Sequence, residues 1–361
     1  MSRKKKVGVI GALLGVAAAG VAAGVAAERV LVRRTRRVAE DPCAGEPFDR
    51  LPFDEQRTVV TEDDVDIYVE ICKREKAKPG TAKARPEPTL LFVHGFCLDM
   101  GTFHFQRKAL WRQYRMVFFD QPGHGRSGRL AAGDYDLGAL AATLRRVIEE
   151  TTPTGPIVLV GHSMGAMAIM ALAEQWPDLI RRRIVGVALI NTSSGKLDEV
   201  TFGLPALLGV LRKPILPVLS TAGRLTPGAI DRARRASTDL FWLLTRKYGF
   251  GSPKPSPALV SYVERMISRT SVEIIAGYLK TLLSHSRAEA LVAFADREVL
   301  VIAGDKDLFT PRSHGEEIVR LLPHAEFVAI ADGGHLALLE HPVPVTEALT
   351  DLLSRVSRRE R

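Results

Sequence analysis

The sequence predicts an α/β protein: a mostly parallel, doubly wound sheet with helices on both faces, interrupted by a helical insertion. Three observations carry that prediction. Short apolar runs at Thr89–Val93, Arg115–Phe119, Ile157–Val160, Ile184–Ile190, Val299–Ala303 and Glu326–Ile330 read as buried strands. Helical stretches alternate with them, as crossover connections require. From about Ser193 to Phe294 the alternation stops, and the chain reads as helices broken by prolines.

Taken in order, residues 1–40 stand apart. They carry nine Lys/Arg against Glu28 and Glu40, a net of +7 within a chain total of +9, which leaves +2 for the other 321 residues. The basicity therefore belongs to a tail, and gives no support to a nucleic-acid partner. Residues 7–27 hold only Val, Ile, Leu, Gly and Ala. Twenty-one residues at helical rise span roughly 30 Å, the thickness of a bilayer core, so the segment is expected to be a membrane-spanning anchor. Basic residues on both sides fit headgroup contact, with four before and five after, so the side of the membrane stays open. The alternatives are a segment too weakly hydrophobic to insert, or a signal peptide cut after Val25-Ala26-Ala27. Gly11-x-x-x-Gly15 and Gly20-x-x-x-Gly24 would let two such helices approach as a homodimer.

Residues 41–56 read as an irregular linker, and a first core part runs over 57–192. It opens with a hairpin, Thr58–Thr61 and Val65–Cys72 around Glu62-Asp63-Asp64. Lys73 to Pro88 is a charged, proline-containing loop, and Leu137 to Thr151 has helical spacing. The insertion occupies 193–295 and the second core part 296–361. Within the insertion, 204–211 and 215–219 are strongly apolar, and Trp242 and Tyr248 suit either a pocket or a core. Cys43, Cys72 and Cys97 have neither metal-like nor disulfide-like spacing and read as free thiols.

The stretch that concentrates chemistry is Gly161-His162-Ser163-Met164-Gly165, set between a buried strand and an Ala/Met-rich helix. So tight a turn strains the serine backbone and pushes its hydroxyl outward. The flanking glycines let strand and helix approach, and the helix aims its first N–H groups at whatever sits there.

On these residues the chain resembles the serine-nucleophile, esterase/lipase-like members of the α/β-hydrolase fold family. Ser163 then looks like the nucleophile, which sets the chain apart from members with Asp at the elbow. The resemblance implies an acid after the strand at Val299–Ala303, where the Gly304–Pro311 loop selects Asp307 over its rival Asp305. The other acid position used in the family holds Asn191-Thr192, which cannot serve. It implies a histidine after the last strand, where Gly333-Gly334-His335 matches; His104, His285, His314, His324 and His341 read as structural. The oxyanion donors would be the backbone N–H groups of Phe96, in His94-Gly95-Phe96-Cys97, and Met164. His94 and the Asp120–Ser127 loop are assigned structure alone, Cys97 a buried thiol, and the insertion the role of a cap.

Ser163, His335 and Asp307 together suit acyl transfer to water, with a hydrophobic carboxylic ester as the small-molecule substrate; the apolar cap and the tether fit a lipid-like one, and the cap's apolar residues equally suit packing of its own helices. C–C bond hydrolysis, metal-free haloperoxidase or perhydrolase chemistry and acyl transfer use the same triad. A non-catalytic binding module is the alternative from another class. No metal or nucleotide motif appears, so no cofactor is expected.

Overall fold

The computed structural model describes residues 40–75, 87–131, 134–200 and 238–359. The apolar segment 7–27, with its paired glycines, and the apolar stretches 204–211 and 215–219 lie outside them. Among the described residues, no helix is long and apolar enough to cross a membrane.

Eight strands build one sheet: β1 (Glu55–Val60), β2 (Asp66–Cys72), β3 (Thr89–Val93), β4 (Met116–Phe119), β5 (Ile157–His162), β6 (Ile184–Ile190), β7 (Glu298–Gly304) and β8 (Glu326–Ile330). Their spatial order is β1-β2-β4-β3-β5-β6-β7-β8. The β1–β2 and β2–β4 pairs are antiparallel, and all others are parallel. β1 begins at Glu55, inside the expected linker, and pairs from Glu55↔Ile71 to Val60↔Asp66. It is an edge strand with mostly exposed polar side chains, held by its backbone ladder, so hydropathy gave no sign of its first residues.

β5 lies at the centre and is buried throughout. Its side chains alternate between two apolar layers: Ile157 and Leu159 enter one, Val158 and Val160 the other. In chain order the described helices are α1 (His104–Leu110), α2 (Leu137–Thr151), α3 (Met164–Gln175), α4 (Pro177–Arg183), α5 (Thr238–Gly249), α6 (Pro257–Arg269), α7 (Val272–Leu283), α8 (Arg312–Leu321), α9 (Ala337–Glu340) and α10 (Pro342–Arg359). The first layer takes Leu140 and Leu144 of α2, Ile169 of α3 and Ile318 of α8. The second takes Leu110 of α1 and Leu349 and Leu352 of α10. α3 is buried on nearly every side because the sheet, α2 and the turn at Glu289–Phe294 enclose it. That explains an Ala/Met composition without an amphipathic stripe.

Of the insertion, residues 193–200 and 238–295 are described, and its helices there are α5, α6 and α7. Trp242 belongs to its core, 1% exposed, with its indole Nε1 donating to Ser261 Oγ at 3.2 Å to join α5 to α6. Residues 41–54 run across this insertion. Asp41 accepts hydrogen bonds from Ser256 Oγ and Ala258 N at the start of α6, and the Phe48 ring stacks on Tyr262 at 4.2 Å.

The sheet order reverses between β3 and β5, so their carboxyl ends open a crevice at a topological switch point. The loops after β3, β5, β6, β7 and β8 all gather at that rim. The elbow between β5 and α3 depends on two missing side chains. A Cβ on Gly165 would lie 2.0 Å from the Val93 carbonyl oxygen, and one on Gly161 would lie 2.6 Å from Ala166 Cα. Neither backbone can yield without opening the sheet–helix contact. Gly165→Ala is therefore expected to cost about 3 kcal/mol or more, measured as a lower urea midpoint, whereas Gly155→Ala, with no atom within 4 Å but a φ of +83, should cost clearly less.

Candidate active site

Ser163 occupies the elbow with φ 52 and ψ −119, a conformation non-glycine residues seldom adopt. The turn is held from three directions. Its N–H donates to Ile190 O at 2.9 Å, its carbonyl accepts from Ala166 N at 3.0 Å, and Thr192 Oγ1 donates to that carbonyl at 2.9 Å. The hydroxyl is thereby directed at the loop after β8.

There it meets His335, whose Nε2 lies 3.0 Å from Ser163 Oγ. On the other side of the ring, Nδ1 lies 2.8 Å from Asp307 Oδ2. The three side chains that the sequence singles out, separated by up to 172 positions, thus form one continuous hydrogen-bonded row. Asp305 is exposed and takes no part. His104 pairs with Glu46, His285 with Ser193 O, His314 with Ser193 Oγ and His324 with Arg297 O, so these rings serve packing and loop order.

Asp307 is fully enclosed, and burial by itself pushes its carboxyl up. The neighbouring imidazole of His335 and hydrogen bonds from Thr310 and Asn191 outweigh that, bringing it down from 3.8 to about 2. Its two oxygens accept from Phe309 N and Thr310 N on Oδ1, and from Asn191 Nδ2 and Thr310 Oγ1 on Oδ2. An acid so surrounded stays ionised and holds the imidazole in one tautomer, with the proton on Nδ1.

Phe96 follows β3 and Met164 opens α3. Among the described residues neither backbone N–H meets an acceptor, and Met164, as the first residue of its helix, has no intrahelical partner. The next N–H along the loop, that of Cys97, is taken by His124 Nε2 at 3.1 Å. His94 bonds Gln121 N through Nε2 at 2.9 Å and Gly95 O through Nδ1 at 2.8 Å, which ties the loop after β3 to the loop after β4.

Three residues of the site were not singled out by sequence. Asn191 cannot serve as an acid, yet its amide bridges Asp307 Oδ2 and Gly334 O at 2.9 and 3.2 Å. Its place after β6, at the same rim as the other loops, was the available signal. Thr310, in the Gly304–Pro311 loop, and His162, beside the nucleophile, carried none. A polar cavity of about 260 Å³ lies apart from the row, walled by Glu70, Asp99, Arg107, Asp120, Arg126 and Tyr262 among others. Burial and the neighbouring Asp99 push Asp120 there up to about 7. Among the described residues no cluster of three or more His, Cys, Asp or Glu side chains could hold a metal.

Residues 88–342 match the family described as the alpha/beta hydrolase fold. The chain belongs to that family. Among α/β hydrolases and related chains, it is 24% identical over 270 residues to the mouse sn-1-specific diacylglycerol lipase ABHD11, covering 74% of this chain and 81% of that one. It is 27% identical over 271 residues to the pimeloyl-[acyl-carrier protein] methyl ester esterase of Xanthomonas axonopodis pv. citri, 74% of this chain and 96% of that one. It is also 27% identical over 290 residues to the polyketide synthase ThaQ of Burkholderia thailandensis, but spans only 13% of its length. The structure of a thermophilic esterase from Thermogutta terrifontis superimposes with a TM-score of 0.62 at 23% identity, covering 84% of this chain and all of the other, a likeness of fold.

Two of the buried imidazoles of this α/β hydrolase give its stability a pH dependence. Burial lowers His124 from 6.5 to about 4 and His162 from 6.5 to about 3. Each must enter the fold neutral, so the unfolded chain binds more protons between 6.5 and those values, and stability is lost as pH falls through that window. Asp307 contributes in a lower window: its stabilisation is full above 3.8 and lost as pH falls toward 2. Melting temperature is accordingly expected to begin dropping below about pH 6.5, before the carboxylate titrates. His124→Gln should flatten that first limb, where His124 contributes on the order of 3 kcal/mol.

Proposed function

We propose that this chain is a serine hydrolase that cleaves carboxylic esters through an acyl-enzyme. The observation that carries the reading is the single imidazole bonded on one side to a strained, outward-facing serine hydroxyl and on the other to an enclosed, ionised carboxylate. A serine alcohol attacks a carbonyl only if a base removes its proton as the bond forms.

In the proposed cycle, Ser163 Oγ attacks the ester carbonyl carbon while its proton passes to His335 Nε2. Asp307 remains ionised and stabilises the imidazolium that results. The oxygen that becomes negative lies between the N–H groups of Phe96 and Met164, which have no competing acceptor among the described residues. The C–O bond then breaks, and the alkoxide leaves as an alcohol with the proton from His335 Nε2. Water attacks the acyl-Ser163 ester with the same base, releasing the acid and regenerating the hydroxyl. Ester-cleaving relatives, among them the diacylglycerol lipase and the methyl ester esterase, support esters as the substrate class.

A hydrophobic substrate belongs to the same proposal, with residues 7–27 as a membrane anchor that brings the site to lipid-like esters. Carbonate extraction of membranes from cells making the full chain tests the anchor: release into the supernatant refutes it.

A fluorophosphonate probe tests the chemistry. Native protein is expected to label at Ser163, and Ser163→Ala to lose all labelling; equal labelling of the two would overturn the reading. On a panel of p-nitrophenyl esters of increasing chain length, Ser163→Ala and His335→Ala should each lower kcat by about 10⁴-fold or more, and Asp307→Asn somewhat less.

A further inference from the structure

The nucleophile's neighbour, His162, has no part in the cycle just described, yet it touches three pieces of the machinery. It is fully buried at the end of β5. Its Nε2 lies 2.9 Å from the backbone carbonyl oxygen of His335, which can only accept, so the ring carries its proton on Nε2 and donates it there. The two imidazoles lie 5.0 Å apart, centroid to centroid, tilted by 53°. On its far side the ring fills the space in front of Gly95, where a Cβ would come within 2.7 Å of His162 Nδ1. Gly95 immediately precedes Phe96.

We infer that His162 is a positioning residue: through its Nε2–H it fixes the backbone of His335, and so sets the distance between the imidazole and the Ser163 hydroxyl. The inference rests on the ester-hydrolase reading above and deepens it.

The loop after β8 needs such a hold. Two glycines precede His335, and the backbone around it is also tied by Glu340 on the N–H of Gly334, by Asn191 on the Gly334 carbonyl, by Lys306 N on the Gly333 carbonyl, and by Leu336 N donating to Gly249 O. None of those bonds takes the carbonyl oxygen of His335 itself. The bond from His162 does, and it originates one residue from Ser163 on a buried strand. Nucleophile and base are therefore referenced to the same rigid element. The ring suits this task because it stays neutral: burial, with the nearby His335, lowers it to about 3. The groups facing it are His335, whose charge changes in the proposed cycle, the buried neutral His94, and Asp307 beyond; a second cation at that place would oppose formation of the imidazolium.

The position also explains an imidazole in place of an apolar side chain. Val160, two residues earlier on the same strand, packs into a wholly apolar layer. At 162 a donor must reach across to the next loop, and its other nitrogen, Nδ1, meets no partner among the described residues. A buried acceptor without a partner is a standing cost. Its retention fits a residue kept for the bond on Nε2 and for the shape against Gly95.

The test compares His162→Leu, which fills the site without a donor, with His162→Gln, whose amide N–H can reach the same carbonyl. Two readouts are made on the full chain. First, kcat and KM on a soluble short-chain ester are normalised to active sites titrated by acyl-enzyme burst, so that misfolded protein does not count. The expected result is a kcat per site lowered 10- to 100-fold in His162→Leu with KM within about twofold, and a recovery to within about fivefold of wild type in His162→Gln. Second, the proton in the His335 Nδ1–Asp307 hydrogen bond is followed by NMR, without substrate. Its downfield resonance should be present in wild type and His162→Gln, and broadened or lost in His162→Leu. A folded His162→Leu with wild-type kcat per site, or a His162→Gln no better than Leu, overturns the inference; so does an unchanged downfield resonance in His162→Leu. A wild type that shows the resonance but neither labels nor turns over esters would instead defeat the ester-hydrolase reading, and leaves the NMR comparison to decide on His162.

Discussion

The structure depends on one strained turn. Ser163 sits at φ 52 because β5 must end and α3 must begin within a single residue. The strain is sustained by the burial around it: β5 has neighbours on both sides and apolar layers on both faces, and α3 is enclosed almost completely. A backbone conformation that costs of order 1–3 kcal/mol survives where the surroundings determine it many times over. The same enclosure makes the hydroxyl's direction a property of the sheet, and every other group at the rim is placed relative to it.

Burial has opposite effects on the charges near that rim. Around Asp307 it is overcome by four donors and the imidazole, so the carboxylate stays charged at low pH. For His94, His124 and His162 it prevails, because each ring meets backbone groups and no carboxylate. The result is a site where one negative charge is fixed and three nearby imidazoles are held neutral. His335, the ring placed between that carboxylate and the serine hydroxyl, is left 13% exposed beside the crevice.

Much of this was legible in the sequence. Five of the six parallel strands, β3 to β7, are runs of apolar side chains because both faces are covered, and the two-residue glycine spacing around Ser163 follows from backbone contacts shorter than any Cβ allows. Residues 163, 307 and 335 could be named because each stands at the carboxyl end of a strand. What stayed hidden has physical causes. β1 is an edge strand whose pairing uses backbone groups, so its polar start looked like linker. Asn191 seemed disqualified because it cannot be an acid, although an amide is the better partner for one. His162 acts through a bond to a carbonyl 173 positions away, and no local pattern encodes that. The segment 41–54 was likewise read as a connector, since its contacts are single residues: Asp41 at the start of α6, Glu46 on His104 and Phe48 on Tyr262.

That last arrangement has a mechanical side. The chain does not pass from its amino-terminal region directly into the sheet; it first fastens to the first turn of α6 and lies along that helix before reaching β1. Tyr262, which Phe48 covers, in turn donates its hydroxyl proton to Gly101 O, a few residues beyond the loop that carries Phe96. A pull on the leading end is therefore felt by α6 before the sheet, along a path that ends close to the rim where Ser163 lies.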